Sequence, residues 1–170
     1  MTFWGLFFGV LAGILAGIGI NIGIDFVRKC IVKKKIIKNL KFEIDFNIEK
    51  INSFLEELDK YRDKVTGDSL SSYFGYFNLS KVILTTLVQM FFTGEIYNNL
   101  DNNEDIRKLQ NFSSDFSSGT EQYMNNQINW NRTNIQTNPS VKQFAMGGIE
   151  YWRSKFNENK KNLQSIKAKL

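Results

Sequence analysis

Histidine is absent from the 170 residues, and cysteine and proline occur once each, as Cys30 and Pro139. Without histidine there is no usual general base near neutral pH, no imidazole metal ligand and no Ser-His-Asp triad. A single cysteine makes neither an intrachain disulfide nor a thiolate zinc site. No GxxxxGK[ST] or GxGxxG phosphate loop occurs either. The adjacent carboxylates Glu56 and Glu57, and Glu104 and Asp105, lie among polar neighbours, where a helix would turn them outward into solvent. The expectation is a protein that is not an enzyme and uses neither metal nor cofactor.

Charge is also missing over one stretch. From Met1 to Ile24 only Thr2 and Asn21 are polar, and Asp25 is the first charged residue. As an α-helix at about 1.5 Å per residue, this stretch reaches roughly 36 Å, enough to cross a hydrocarbon core of about 30 Å with some tilt. A cleaved signal peptide places cations before its apolar run. Here they follow it, as Arg28, Lys29, Lys33, Lys34, Lys35, Lys38 and Lys41, with no acid between them. By the positive-inside rule the N-terminus faces out and the remainder faces the cytoplasm, as in a single-pass protein of a cell inner membrane. The expected organisation is a transmembrane helix over 1–25, a basic juxtamembrane helix over 26–41 and a cytoplasmic helical bundle over 42–170. Cys30 reads as a small structural residue or a palmitoylation position.

Gly5, Gly9, Gly13 and Gly17 recur every four residues, and Gly19 and Gly23 continue at that interval. Helical residues four apart share a face, so one side of this helix is nearly bare backbone. In lipid such a groove invites close approach of another helix, and the expected partner is a second copy. A dimer without a pore and a larger assembly around a narrow pore, from dimer to tetramer or beyond, both satisfy the pattern. Asn21 and Asp25 lie one turn apart. In a ring of helices they would form a polar collar and an acidic one. Alternatively, Asn21 hydrogen-bonds a neighbouring helix while Asp25 pairs with Arg28 or Lys29.

The rest of the chain carries helical periodicity. Ile37, Ile44, Ile51 and Leu58 repeat every seven residues, with Leu40, Ile48, Phe54, Leu55 and Tyr61 beside them, predicting a helix over 26–64 closed by a turn at Thr66 to Ser69. A second helix is expected over Leu79–Phe92, apolar nearly all round, as the buried middle of a bundle or, lengthened by Tyr73 to Phe77, as a re-entrant segment or a second span. A third is expected over Asn102–Thr133, with Leu109, Phe112, Phe116, Tyr123, Met124 and Trp130 on one face. Asn138 before Pro139 is a helix-start signal for a last helix running to the C-terminus. Within it, Gly147 and Gly148 suggest a kink or a close crossing, of which the crossing fits better. No strand alternation is evident, so the fold class is all-α: one N-terminal transmembrane helix continuing into a cytoplasmic bundle of about four helices.

Charge is uneven along the chain. Phe42 to Lys64 holds seven acids and four bases, whereas Ser140 onward holds seven bases and two acids. Up-and-down connectivity would return Lys160, Lys161, Lys167 and Lys169 toward the run at Arg28 to Lys41. Anionic lipid headgroups are then the expected counterions, at about 1 kcal/mol per nearby Lys or Arg. A cytoplasmic regulatory protein or a nucleotide signal stays open as a further partner. The aromatics fall at core spacings rather than alternating with cations, so sequence-specific nucleic acid binding is not expected.

A Gly-striped span, a basic neck and a small helical domain resemble, in layout, the short single-span membrane effectors of bacterial anti-phage defence found in nucleotide-signalling (CBASS), type III CRISPR and Hailong systems. That resemblance implies a channel or membrane disruptor held in check by its cytoplasmic part. It transfers no individual residue. The alternatives are a membrane-anchored adaptor that recruits a cytoplasmic protein and a holin-like lysis protein.

Overall fold

The computed structural model describes the backbone of residues 3–100 and 102–170, and the side chains of residues 24, 26–97, 100 and 102–170. The described residues are helical, with no strand: α1 (Phe3–Thr66), α2 (Thr85–Thr93), α3 (Glu95–Asn99), α4 (Asn103–Asp115), α5 (Ser118–Asn134) and α6 (Ser140–Lys169), with short 3-10 turns at Leu70–Ser72 and Leu79–Lys81. The chain divides into two units, Met1–Asn39 and Leu40–Leu170. Among the described residues no helix is long and apolar enough to cross a membrane. The side chains of the uncharged run, residues 1–23, lie outside them.

In the second unit the seven-residue repeat of α1 does what its spacing dictates. Leu40, Ile44, Ile51, Phe54, Leu58, Tyr61 and Val65 are all buried. They form one stripe, since positions three and four apart share a helix face. The stripe packs on α4 and α6 through a group of phenylalanine rings. The Phe54, Phe116 and Phe156 centroids lie 5.7 to 5.9 Å apart, and Phe112 lies 4.7 Å from Phe116. Aromatic pairs at such spacing each add about 0.5–1.5 kcal/mol beyond the area they bury.

α1 ends where its sequence says it should. The Ser69 N–H bonds the Lys64 carbonyl at 3.0 Å and the Gly67 N–H bonds the Asp63 carbonyl at 2.9 Å, with Asp68 in the left-handed region at φ 54°. The Ser69 bond closing over a left-handed Asp68 is the six-to-one bond of a Schellman ending, with aspartate standing where glycine is commoner, and the Gly67 bond is the last of the helical ladder. The start of α6 is equally legible. The Asn138 side-chain oxygen accepts the Ser140 N–H at 3.0 Å, and Pro139 follows in helical conformation. Gly148 then lets α6 approach α5, for a Cβ there would meet the Gln127 amide at 3.1 Å, whereas Gly147 faces open space.

Ion pairs set the direction of α6. Lys142 reaches Asp68 at 2.8 Å, Arg153 reaches Asp59, and Lys167 reaches Asp45 at 2.6 Å. Residue numbers rise on one helix as they fall on the other, so α6 runs antiparallel to the second half of α1.

The middle of the chain departs from the expected four-helix count, because six helices are present among the described residues. Leu79–Phe92 is not one helix: Val82 is extended and α2 begins only at Thr85. Nor is it buried all round, since Phe92 is 88% exposed and Val88 is exposed as well. The expected helix over Asn102–Thr133 is two helices, α4 and α5. The break is local capping chemistry. The Ser117 hydroxyl accepts the Thr120 N–H and thereby opens α5. Tyr123 and Trp130 consequently face outward rather than sharing the buried face of Leu109 and Phe112. Asp105, expected in solvent, is 2% exposed. The end of α6 brings Lys169 onto it, and Lys108 stands 3.7 Å away.

Candidate functional site

Gly5, Gly9, Gly13, Gly17, Gly19, Gly23, Asn21 and Asp25 all lie outside the residues whose side chains are described. Of the seven cations that follow, Arg28, Lys29, Lys33, Lys34, Lys35 and Lys38 are exposed, and Lys41, in the second unit, is half-buried. Among the described residues no carboxylate forms an ion pair with any of the seven. At about 100° per residue their positions spread around the whole circumference of the helix instead of sharing one face. Bulky apolar side chains stand among them: Phe26 is 68% exposed and Ile31 is 61% exposed, with Ile24, Val27 and Val32 also exposed. Fully burying a side chain of this kind is worth about 1.5–3 kcal/mol. The first unit leaves that stabilisation unclaimed. Cys30 is exposed too.

The second unit pairs many of its buried polar groups internally, with side chains that sequence reasoning passed over. The Asn47 amide, on α1, donates to the Ile83 carbonyl and accepts the Ile83 N–H, both at 2.8 Å. Asn125, on α5, does the same for Phe77, at 2.7 and 2.9 Å. The Glu43 carboxylate accepts the Thr86 and Leu87 N–H groups, the latter at 3.2 Å, and so supplies acceptors for the first turn of α2. Glu121 accepts from the Ser80 N–H at 2.8 Å and the Tyr76 hydroxyl at 2.9 Å. The segment from Tyr73 to Leu87 is held by these four side chains more than by its own secondary structure. A signal for Asn47 existed in the sequence, since it interrupts the buried series Leu40, Phe54, Tyr61 at the same seven-residue register. A lone amide in an apolar stripe usually has a designated partner.

Electrostatics follow the bonding. Burial pushes the Glu121 carboxyl up, but hydrogen bonds from Ser80 and Tyr76 outweigh it and hold the group below its ordinary range. The Tyr73 hydroxyl donates to Glu57 at 2.8 Å, and burial together with that carboxylate raises its pKa well above the ordinary tyrosine value. Tyr61, with its ring 5.0 Å from Tyr73, is raised by burial, while an Asn131 hydrogen bond opposes the shift. The bond from Arg153 lowers Asp59, against a smaller opposing effect of burial. Lys167 and Lys169, expected to need lipid as counterion, have Asp45 and Asp105 instead. Lys160 is half-buried and Lys161 exposed.

An open concavity of ligand size lies between α5 and α6, where Tyr123, Asn126, Gln127, Trp130 and Phe144 line a groove of about 390 Å³. All five are uncharged. The Trp130 and Phe144 rings meet edge to face at 5.8 Å, and Tyr123 lies 6.4 Å from the Trp152 ring. Below it, a cavity of about 10 Å³ is lined by Tyr61, Gln127, Asn131 and Gly148 among others. Among the described residues no cluster of three or more His, Cys, Asp or Glu side chains could hold a metal ion. Compared with protein-family models, with curated proteins and with solved structures, the chain finds no match.

Proposed function

We propose that this protein is a homo-oligomeric membrane protein whose N-terminal helices cross the inner membrane once and pack through their glycine face around an ion-conducting path, with the cytoplasmic helical domain controlling their arrangement. One observation carries the proposal: an uncharged run with glycine at every fourth residue, within the helix Phe3–Thr66, followed after Asp25 by seven cations, from Arg28 to Lys41, with no acid among them. The exposed Ile24, Phe26, Val27, Ile31 and Val32 support it, because apolar side chains beside a span find lipid or a sister helix. The circumferential spread of the cations supports it as well. A helix passing through a headgroup layer meets anions on all sides, and a ring of charge suits that better than a single basic face would.

In this reading Gly5, Gly9, Gly13, Gly17, Gly19 and Gly23 form the packing face, Asn21 and Asp25 the collar of the path, and Arg28 to Lys41 the headgroup contact. The layout shared with bacterial defence effectors makes permeabilisation of the cell during infection the physiological role. Purified protein reconstituted in liposomes is the test. Ion flux under at least one ligand or partner condition, from an assembly of four or more copies, is the expected result. A dimer that passes no ions under any condition excludes the channel.

The adaptor reading rests on a different observation, the self-sufficient second unit with its exposed aromatic groove. Replacing residues 1–25 by an unrelated membrane anchor separates the two readings, since an adaptor keeps its function and a channel loses it.

A further inference from the structure

Asn131 is 1% exposed, and only half of its amide is used. Its nitrogen donates to the Tyr61 hydroxyl at 2.8 Å, while its oxygen has no hydrogen-bond partner. A buried acceptor left unpaired is costly, so such an atom in a folded core calls for an explanation. Asn131 is among the residues that line the 10 Å³ cavity, whose size is close to that of a single water probe at about 10–15 Å³. Gln127 borders both this cavity and the aromatic groove outside it. The Gln127 side chain makes no hydrogen bond among the described residues; its amide packs beside Gly148 and can turn without breaking a hydrogen bond.

Two independent features therefore adjoin: a groove with tryptophan, phenylalanine and tyrosine walls and no charge, and an unpaired buried acceptor on a residue of the small cavity that shares Gln127 with the groove. We propose that they form one binding site for a small, uncharged, planar aromatic molecule carrying an N–H or O–H donor. The ring lies in the groove against Trp130 and Phe144. Gln127 turns aside, and the donor reaches the Asn131 oxygen. Aromatic walls supply apolar contact without charge selectivity, and the acceptor supplies the requirement for a donor. The groove volume of about 390 Å³ lies in the range of small-molecule pockets, roughly 300–1,000 Å³. This site stands apart from the proposed channel and does not depend on it.

Indole and 1-methylindole are the probes, since they share ring and shape and differ only in the donor. Binding is measured by calorimetry on the full chain in lipid nanodiscs, with empty nanodiscs subtracted. Indole is expected to bind saturably, and 1-methylindole about tenfold more weakly, as loss of one hydrogen bond to a buried acceptor implies. Trp130→Ala, at an exposed position outside the core, is expected to abolish indole binding with only the small fall in melting temperature that losing one ring contact with Phe144 brings. Equal affinity for the two probes, or unchanged binding by Trp130→Ala, overturns the proposal. So does an absence of saturable binding, including the case in which cross-linking from residue 130 shows a second copy covering the groove.

Discussion

In the unit Leu40–Leu170, Phe77, Phe112 and Phe156 are each 1% exposed, whereas in Met1–Asn39 Phe26 and Ile31 stand out at 68% and 61%. In the second unit such side chains mostly find apolar neighbours within the chain, Phe42, Phe74 and Phe92 excepted, whereas every side chain described between residues 24 and 35 is exposed. Charges divide the same way. Asp45, Asp59, Asp68 and Asp105 each hold a cation of α6, while the neck cations have no such partner among the described residues. Stability of the second unit is thus an intramolecular property. On the proposed function, that of the first comes from lipid or from another copy.

The comparison breaks most sharply through the glycine face. On the proposed packing, changing Gly9 and Gly13 to Leu should weaken assembly and shift native mass spectra from detergent toward the monomer, because side chains there hold partner backbones apart. The melting transition of the second unit should not move. If that transition collapses together with assembly, the two units are not energetically separate.

Next in size is Asn47→Ala, which strips both partners from Ile83. It should cost about 2–4 kcal/mol by denaturant unfolding, the penalty for two backbone groups left without partners. A loss below 1 kcal/mol would mean that water serves Ile83 as well as the amide does. Gly75→Ala should cost about 1–3 kcal/mol, as overpacking does, since its Cβ would overlap the Tyr73 ring and the Glu57 carboxylate.

Smaller effects are pH-dependent and have opposite signs. Tyr73 has a raised folded pKa, so its contribution is complete below pH 10.0, the unfolded value, and is lost as pH rises beyond it. Glu121 has a lowered one, so its contribution is present above pH 4.5 and is lost as pH falls through the folded value. Thermal melts across both ranges check this: Tyr73→Phe should flatten only the alkaline limb, and Glu121→Gln only the acid limb. Least of all, Lys142→Ala at an exposed pair should change stability by less than about 1 kcal/mol.

What could be read from the sequence was what local chemistry decides. The turn at Thr66 to Ser69, the Asn138–Pro139 start and the stripe from Leu40 to Tyr61 each depend on residues within a turn or two of one another. What could not be read depended on distant partners. Nothing near Thr85 announces that α2 begins there, because its first N–H groups are satisfied by Glu43, some forty residues earlier. The helix expected over Asn102–Thr133 hid its break because Ser117 is an ordinary helix residue until its hydroxyl turns to the backbone. The groove escaped notice for a related reason: Tyr123 and Trp130 have core spacing and lie on the wrong side of that break. Of the proposed membrane elements, the glycine stripe and the Asn21 and Asp25 collar rest on the sequence alone.

The amides of Phe77 and Ile83 lie in a stretch without regular structure, yet each is locked to the side chain of a helix far away in the chain. Their hydrogens should therefore exchange with deuterium as slowly as those of α1 and α5, not at the rate of a surface connection. Protease-accessible ends and exchange-protected middles would then coexist within some fifteen residues. That gives the segment the kinetics of a clasp: it lets go only when the whole helical assembly around it opens.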